Sequence, residues 1–301
     1  MIGSFIELRK SAKLCGPFYM AVAAADDDTV LEAVAEAEQE GIVIPILIGD
    51  AIKIENLLEQ IAFSKRPRII NEVESPAVLA AKIAQSGEAD MVMKGHLDSG
   101  EFLKAILNKE FGLRGQLLSQ VLLYEIQGFD RMLLLSDCAI NINPSREDKI
   151  VILKNAVNVA HALGCDLPNA AFICATEKLN PKMPETVDAF EIAEMYRRGE
   201  IKGCSVSGPL GLDNAISIDA AKHKSISDPN AGKANILIMP NLCTGNIFNK
   251  SLEYFTRCHK AGTVIGAKIP VVLTSRASSK ESKFNSICLS AMCANLAKEN
   301  K

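Results

Sequence analysis

The chain has 301 residues, 48% apolar and 23% charged, with a formal net charge of −3. This length and composition suit one large domain or two ordinary ones with a sizeable core. The acidic balance argues against a general nucleic-acid binder, and the absence of Trp with only 5% aromatic residues removes the usual stacking platform for single strands.

Short apolar runs alternate with amphipathic stretches. Tyr19–Ala23 is predicted as a strand, and Asp26-Asp27-Asp28 then place acid at the start of a helix through Glu40. Pro45–Ile48 is the next strand, ending in Gly49-Asp50. Helix, strand and helix follow, the last with Ser75 as N-cap and Pro76 at its first position. Met91–Lys94 and Met132–Leu135 are further buried strands. Helix Arg146–Leu163, strand Ala170–Cys174, helix Thr186–Arg198 and strands Cys204–Val206, Ile236–Met239 and Val271–Thr274 continue the rhythm, and a last helix runs from about Lys280 to Lys298. The alternation predicts an α/β protein with mostly parallel sheets and flanking helices.

In such sheets ligands bind beyond the carboxyl ends of the strands, so five segments carry the candidate chemistry. Met93-Lys94-Gly95 sets a lysine at a strand end where glycine lets the backbone approach an anion; an ordinary surface lysine fits the same pattern. Ser136 to Pro144 holds Asp137 and Asn141, which suit either a ligand or a simple turn. Ser207-Gly208-Pro209-Leu210-Gly211-Leu212-Asp213 reads as a Gly-Pro turn before a helix, with Asp213 a reactive acid or only an N-cap. Pro240-Asn241-Leu242-Cys243-Thr244-Gly245-Asn246 would offer backbone N–H groups at a helix start. In Thr274-Ser275-Arg276 the guanidinium can grip phosphate through two hydrogen bonds and polarise a carbonyl.

Nine cysteines form no CxxC pair, and four histidines make neither HExxH nor a zinc-spaced cluster. The expectation is free thiols, a cytoplasmic chain and no bound metal. No apolar run is long enough to span a membrane, and Met1–Lys13 has no signal-like core.

In this order the motifs are far more specific than any one alone. "MKGHLDSGEFLKAILN", "SDCAININP", "ATEKLNPKMPETVDA", "GPLGLDNAIS", "IMPNLCTGNI" and "VVLTSRASS" resemble the phosphate acetyltransferase/phosphate butyryltransferase family along nearly the whole chain, and Glu177–Met183 tilts the likeness to the butyryltransferase branch. The resemblance implies two α/β domains similar to the isocitrate/isopropylmalate dehydrogenase type. A discontinuous first domain would comprise 1–138 plus 275–301 and a second 139–274, with the active site in the cleft between them, in a homodimer or an assembly of dimers. It implies reversible transfer of a butyryl or other short acyl group between coenzyme A and phosphate by direct thiolate attack, with coenzyme A as substrate and no tightly bound cofactor. Ser275, Arg276 and Asp213 carry over as catalytic, and Lys94, Gly95, Asp137, Asn141, Gly208, Pro209, Asn241, Thr244, Gly245 and Asn246 as substrate-binding.

The departures concern the proton acceptor. Ser207 stands where relatives often have Asp before Gly-Pro, and Ser278 and Ser282 stand where one branch or the other often has Asp after the Ser-Arg pair. A phosphate acetyltransferase, a metal-dependent hydroxyacid dehydrogenase on the same scaffold and a non-catalytic acyl-CoA-binding paralogue stay open as alternatives.

Overall fold

Ala21-Val22-Ala23, Ile46-Leu47-Ile48 and Met91-Val92-Met93 are apolar at every position, so they suit strands covered on both faces. In the computed structural model, which describes residues 1–299, all nine are buried in parallel strands.

The chain divides into two compact units, one formed by Ser4–Leu118 and the residues from Lys260 onward, the other by Met1–Gly3 and Ser119–His259. The first unit opens with α1 (Phe5–Cys15), β1 (Phe18–Ala23), α2 (Asp28–Gln39), β2 (Val43–Gly49) and α3 (Ala51–Leu58). It continues with β3 (Arg68–Asn71), α4 (Pro76–Gln85), β4 (Met91–Lys94) and α5 (Ser99–Ile106). Strand β5 (Arg114–Ile126) then carries the chain into the second unit. There follow β6 (Leu133–Ser136), α6 (Arg146–Ala162), β7 (Asn169–Ile173), α7 (Pro184–Arg197), β8 (Ser205–Leu210), α8 (Leu212–Ile216), α9 (Ile218–His223), β9 (Ile236–Ile238) and α10 (Leu242–Phe255). Strand β10 (Cys258–Ala267) returns to the first unit, which β11 (Val271–Val272) and α11 (Lys280–Glu299) complete.

The first unit's strands run β3-β2-β1-β4-β11-β10, parallel up to β11, with β10 antiparallel at the end. The register places Ala21 opposite Ile46 on one side and Val92 on the other, with Val272 opposite Met93. Helix α11 packs on α1 and α2. Its buried Phe284, Ile287 and Leu289 each contribute about 1.5–3 kcal/mol by leaving water. Arg9 lies over the Phe284 ring at 5.1 Å and donates to Asn285 Oδ1 at 3.0 Å, fixing the contact with α1.

In the second unit the order is β5-β6-β9-β7-β8, with only β5 antiparallel. Leu122, Tyr124, Leu135, Ile173, Leu210 and Leu237 are among the residues of one core cluster there. A capping box starts α6: the Ser145 hydroxyl accepts from Asp148 N and the Asp148 carboxylate accepts from Ser145 N.

The expected strands and helices are present, with ends shifted by a few residues. Three features differ. Long strands β5 and β10 have mixed polar and apolar sequences and leave no simple apolar run, because each serves both units. The chain therefore crosses at 118/119 and 259/260, where the family likeness had suggested 138/139 and 274/275. Gly208-Pro209 is not a turn but lies inside β8. Ala171 pairs with Ser207 and Ile173 with Leu210, so a bulge accommodates the proline that cannot donate to the ladder. Finally, Ser75 caps α4 by position only, without a side-chain hydrogen bond. Among the described residues no helix is long and apolar enough to cross a membrane.

Candidate active site

In the first unit β1, β4 and β11 are neighbours, so the loops after their C-terminal ends converge. Gly95 N–H donates to Ala23 O and His96 N–H to Ala24 O, both at 2.8 Å. A Cβ on Gly95 would stand 2.0 Å from Ala24 O, so only glycine permits this approach. Lys94 is buried, and its Nζ donates to Gly95 O at 3.2 Å and Leu97 O at 3.0 Å. Lys283 on α11 is buried too, with Nζ donating to Ser278 O at 2.6 Å. That carbonyl belongs to the turn bearing Ser275 and Arg276, which Ser278 N–H closes onto Ser275 O at 3.1 Å. Ser275 and Arg276 are exposed, and Arg276 has no ion-pair partner among the described residues.

Three cations thus gather with two helix-capping carboxylates. Burial pushes the Lys94 ammonium below its ordinary value, and Arg276 and Lys283 push it further, while Asp98 and Asp27 pull the other way. Burial also lowers Lys283, against the pull of Asp27 and Asp28. Asp27 caps α2. Burial alone would raise its carboxyl, but hydrogen bonds from Thr29, Val30 and His96, with Lys283 nearby, hold it below the usual range. Asp98 caps α5 through Gly100 and Glu101 N–H groups, which lower it as well.

In the second unit the loops after β6 and β9 interlock. Asp137 is buried. Its Oδ1 accepts from Ala139 N at 2.9 Å and Ile140 N at 3.3 Å, and its Oδ2 from Asn141 N at 3.0 Å and Asn141 Nδ2 at 2.5 Å. Its carboxylate therefore organises the 138–141 loop. Asn241 caps α10 by accepting from Thr244 N at 2.9 Å and Thr244 Oγ1 at 3.0 Å, and Asn246 Nδ2 donates to Cys138 O at 3.3 Å. A Cβ on Gly245 would lie 2.4 Å from Asp137 O, which explains glycine there. Asp137, Asn141, Asn241, Thr244, Gly245 and Asn246 are one connected group.

Gly208 sits against α7, where a Cβ would meet Ala189 Cβ at 3.3 Å; with Pro209 it shapes β8. Asp213 lies in five-residue α8, its side chain 53% exposed and 3.1 Å from Lys224 Nζ. The Lys224 hydrogen bond holds its carboxyl below the usual range, which makes it a weak proton acceptor. Nearby, Ser207 Oγ and both amide atoms of Asn214 are buried without a partner among the described residues, a cost of about 1–3 kcal/mol per group.

Lys283, Asp27, Asp98, His96 and Lys224 were not among the residues expected to act. Lys283 had a legible signal. It falls at a core position of α11 in register with buried Ile287, Ala291 and Ala294, where a lysine is out of place unless it meets a partner.

A protein-family profile described as "Phosphate acetyl/butaryl transferase" matches residues 64–291. The chain is 46% identical over 298 residues to the phosphate butyryltransferase of Clostridium acetobutylicum, covering 98% of this chain and 99% of that one. It is 43% identical over 278 residues to the phosphate acetyltransferase of Thermotoga maritima, covering 91% and 95%. Among solved structures, a branched-chain phosphotransacylase from Enterococcus faecalis superposes with a TM-score of 0.81 at 31% identity, covering 92% of this chain and 99% of that one. A 4-hydroxythreonine-4-phosphate dehydrogenase from Klebsiella pneumoniae, 14% identical, covers 92% and 100% with a TM-score of 0.53 and shows a dehydrogenase-like fold alone. Carried by sequence and fold along nearly its full length, this chain belongs to the Phosphate acetyl/butaryl transferase family.

Proposed function

We propose that the protein interconverts butyryl-CoA and phosphate with butyryl phosphate and coenzyme A. The observation that carries this reading is the cationic cluster of Lys94 at the end of β4, Arg276 in the turn after β11 and Lys283 on α11, in a chain 46% identical to a phosphate butyryltransferase. Arg276 and Lys94 hold the phosphoryl oxygens, and Ser275 donates its hydroxyl to the reacting group. Within the second unit, Asn241, Thr244, Gly245 and Asn246, backed by Asp137 and Asn141, and Gly208 with Pro209 in β8 serve as substrate-binding residues.

The thiolate of coenzyme A attacks the acyl-phosphate carbonyl directly, and phosphate leaves as the tetrahedral intermediate collapses. Ionising a thiol of pKa about 8.5 at pH 7 costs about 2 kcal/mol. Donors on the oxyanion each contribute about 3–4 kcal/mol. Arg276 neutralises the departing phosphate, so the reaction proceeds without a metal or a tightly bound cofactor. Asp213, tied to Lys224, supplies fixed charge to its loop. The active form is a cytoplasmic homodimer or an assembly of dimers.

The test is thiol release from acetyl-, propionyl-, butyryl- and isobutyryl-CoA, with and without phosphate. Phosphate-dependent release fastest with a four-carbon acyl group is expected, because each buried methylene adds about 0.8 kcal/mol. A higher kcat/KM for acetyl-CoA than for butyryl-CoA moves the protein to the acetyltransferase reading, which its 43% identity to the Thermotoga maritima enzyme favours. Release that ignores phosphate removes both readings.

A further inference from the structure

We propose that His96, oriented by Asp27, is the general base that takes the proton of the coenzyme A thiol; this rests on the acyl-transfer reading above. The thiol proton needs an acceptor, and Asp213, the acid expected to act, is bound to Lys224 at 3.1 Å.

The geometry supplies a replacement. His96 lies two residues after Lys94, on the loop whose backbone Gly95 fixes against Ala23 and Ala24. Its Nδ1 is 3.3 Å from Asp27 Oδ2, and its side chain is 60% exposed. A carboxylate on Nδ1 selects the tautomer with the proton there, which leaves the Nε2 lone pair free to accept. Asp27 cannot turn away, because its Oδ1 accepts from Thr29 Oγ1 at 2.7 Å and Val30 N at 2.9 Å at the head of α2. The oriented imidazole therefore stands in the loop cluster that holds Lys94 and Arg276, with most of its side chain exposed.

The charged groups around it come from four elements. Asp26 and Asp27 lie between β1 and α2, whose first residue is Asp28, and Lys94 and Asp98 flank the loop between β4 and α5. Arg276 belongs to the turn after β11, and Lys283 to α11.

In the step, the S–H bond breaks and its proton passes to Nε2. The sulfur pair forms the C–S bond to the acyl carbonyl, and the carbonyl carbon's bond to the phosphate oxygen breaks. The proton on His96 then passes to the leaving phosphate, so acyl phosphate and thiol become thioester and hydrogen phosphate with nothing left over. In the opposite direction imidazolium returns the proton to the departing thiolate.

The test uses the full-length protein, butyryl phosphate and coenzyme A, with thioester formation followed from pH 5.5 to 9.5. The variants are His96→Gln and Asp27→Asn; asparagine caps a helix as well as aspartate does, so α2 keeps its start. Wild-type kcat/KM should fall on the acidic side. His96→Gln should lose about 10²- to 10³-fold at pH 7, and its acidic limb should move up toward the thiol's own pKa of about 8.5, with the deficit shrinking at least about tenfold by pH 9.5 as the thiol ionises unaided. KM for butyryl phosphate should stay within about twofold, and Asp27→Asn should fall between the two. Activity of His96→Gln within about threefold of wild type with the acidic limb intact overturns the assignment, as does a loss that is equal at every pH. A wild-type protein inactive on all four acyl-CoAs removes the acyl-transfer reading itself and this assignment with it.

Discussion

Lys283→Met should make the protein no less stable and yet much less active. Lys283 is 3% exposed, and burial holds its ammonium below the ordinary value. Such a charge is costly to fold around, whereas methionine fills the same space without it, so Tm should hold or rise. The sign with pH agrees. A lysine lowered in the fold penalises the native state most below its folded pKa, and the penalty fades as pH climbs toward the unfolded value, so the variant's gain should shrink at alkaline pH. Activity is another matter. The Nζ–H bond to Ser278 O, 2.6 Å, ties the Ser275–Arg276 turn to α11. A hydrogen bond from a charged donor contributes about 1.5–3 kcal/mol, so an unanchored Arg276 should lower kcat/KM by roughly 10- to 150-fold. Thermal unfolding and thiol release on the same preparation read the two effects. Full activity with a lower Tm would refute the argument, since it would make Lys283 a structural group with no hold on the Ser-Arg turn.

Arg276→Ala should reduce kcat/KM by at least about 10²-fold, while Arg146→Ala, which removes surface pairs with Glu147 and Glu191, should change it less than twofold or so; similar small losses in steady-state kinetics would take Arg276 out of the mechanism. Tm should drop steadily above pH 9. Burial pushes the thiols of Cys174, Cys288 and Cys293 up to about 12 and that of Cys204 to about 11 from 9.0, so the unfolded chain gives up these protons first. By pH 10 each thiol should cost roughly 1 kcal/mol, against the opposing gain from Lys94 and Lys283, and a flat Tm from pH 8 to 10.5 by calorimetry would contradict it.

The fold was largely legible because the parallel strands announce themselves. Met91–Lys94 is apolar to its last residue, is bounded by Asp90 and Gly95, and is β4 as expected. Strands β5 and β10 were hidden for the opposite reason. Each is exposed over part of its length and buried over the rest, so neither apolar runs nor strict alternation mark them. Gly208-Pro209 misled because the dipeptide signals a turn locally, while its place in β8 depends on a bulge against β7 that only pairing reveals. The candidate site was half legible. Residues just past strand ends, such as Lys94, Asn241 and Arg276, can be picked out one at a time. What they face cannot: Lys283 lies far along the chain from Lys94, and the Asp27–His96 contact spans 69 residues.

The arrangement of charge gives the cluster its chemical sense. Asp27 and Asp98 do not simply neutralise Lys94, Lys283 and Arg276: both are helix N-caps whose oxygens are already engaged by backbone N–H groups. Those donors and the helix dipoles keep the two carboxylates ionised and in place. They therefore keep the buried ammonium groups tolerable without capturing them: neither acid comes within ion-pair distance of Lys94, Lys283 or Arg276 among the described residues. On the proposed reading a phosphoryl dianion meets three cations, of which Lys94 and Lys283 are fixed by carbonyl contacts at Gly95, Leu97 and Ser278. On that reading the dianion offsets the burial, and the repulsion from Arg276 and Lys283, that lower Lys94.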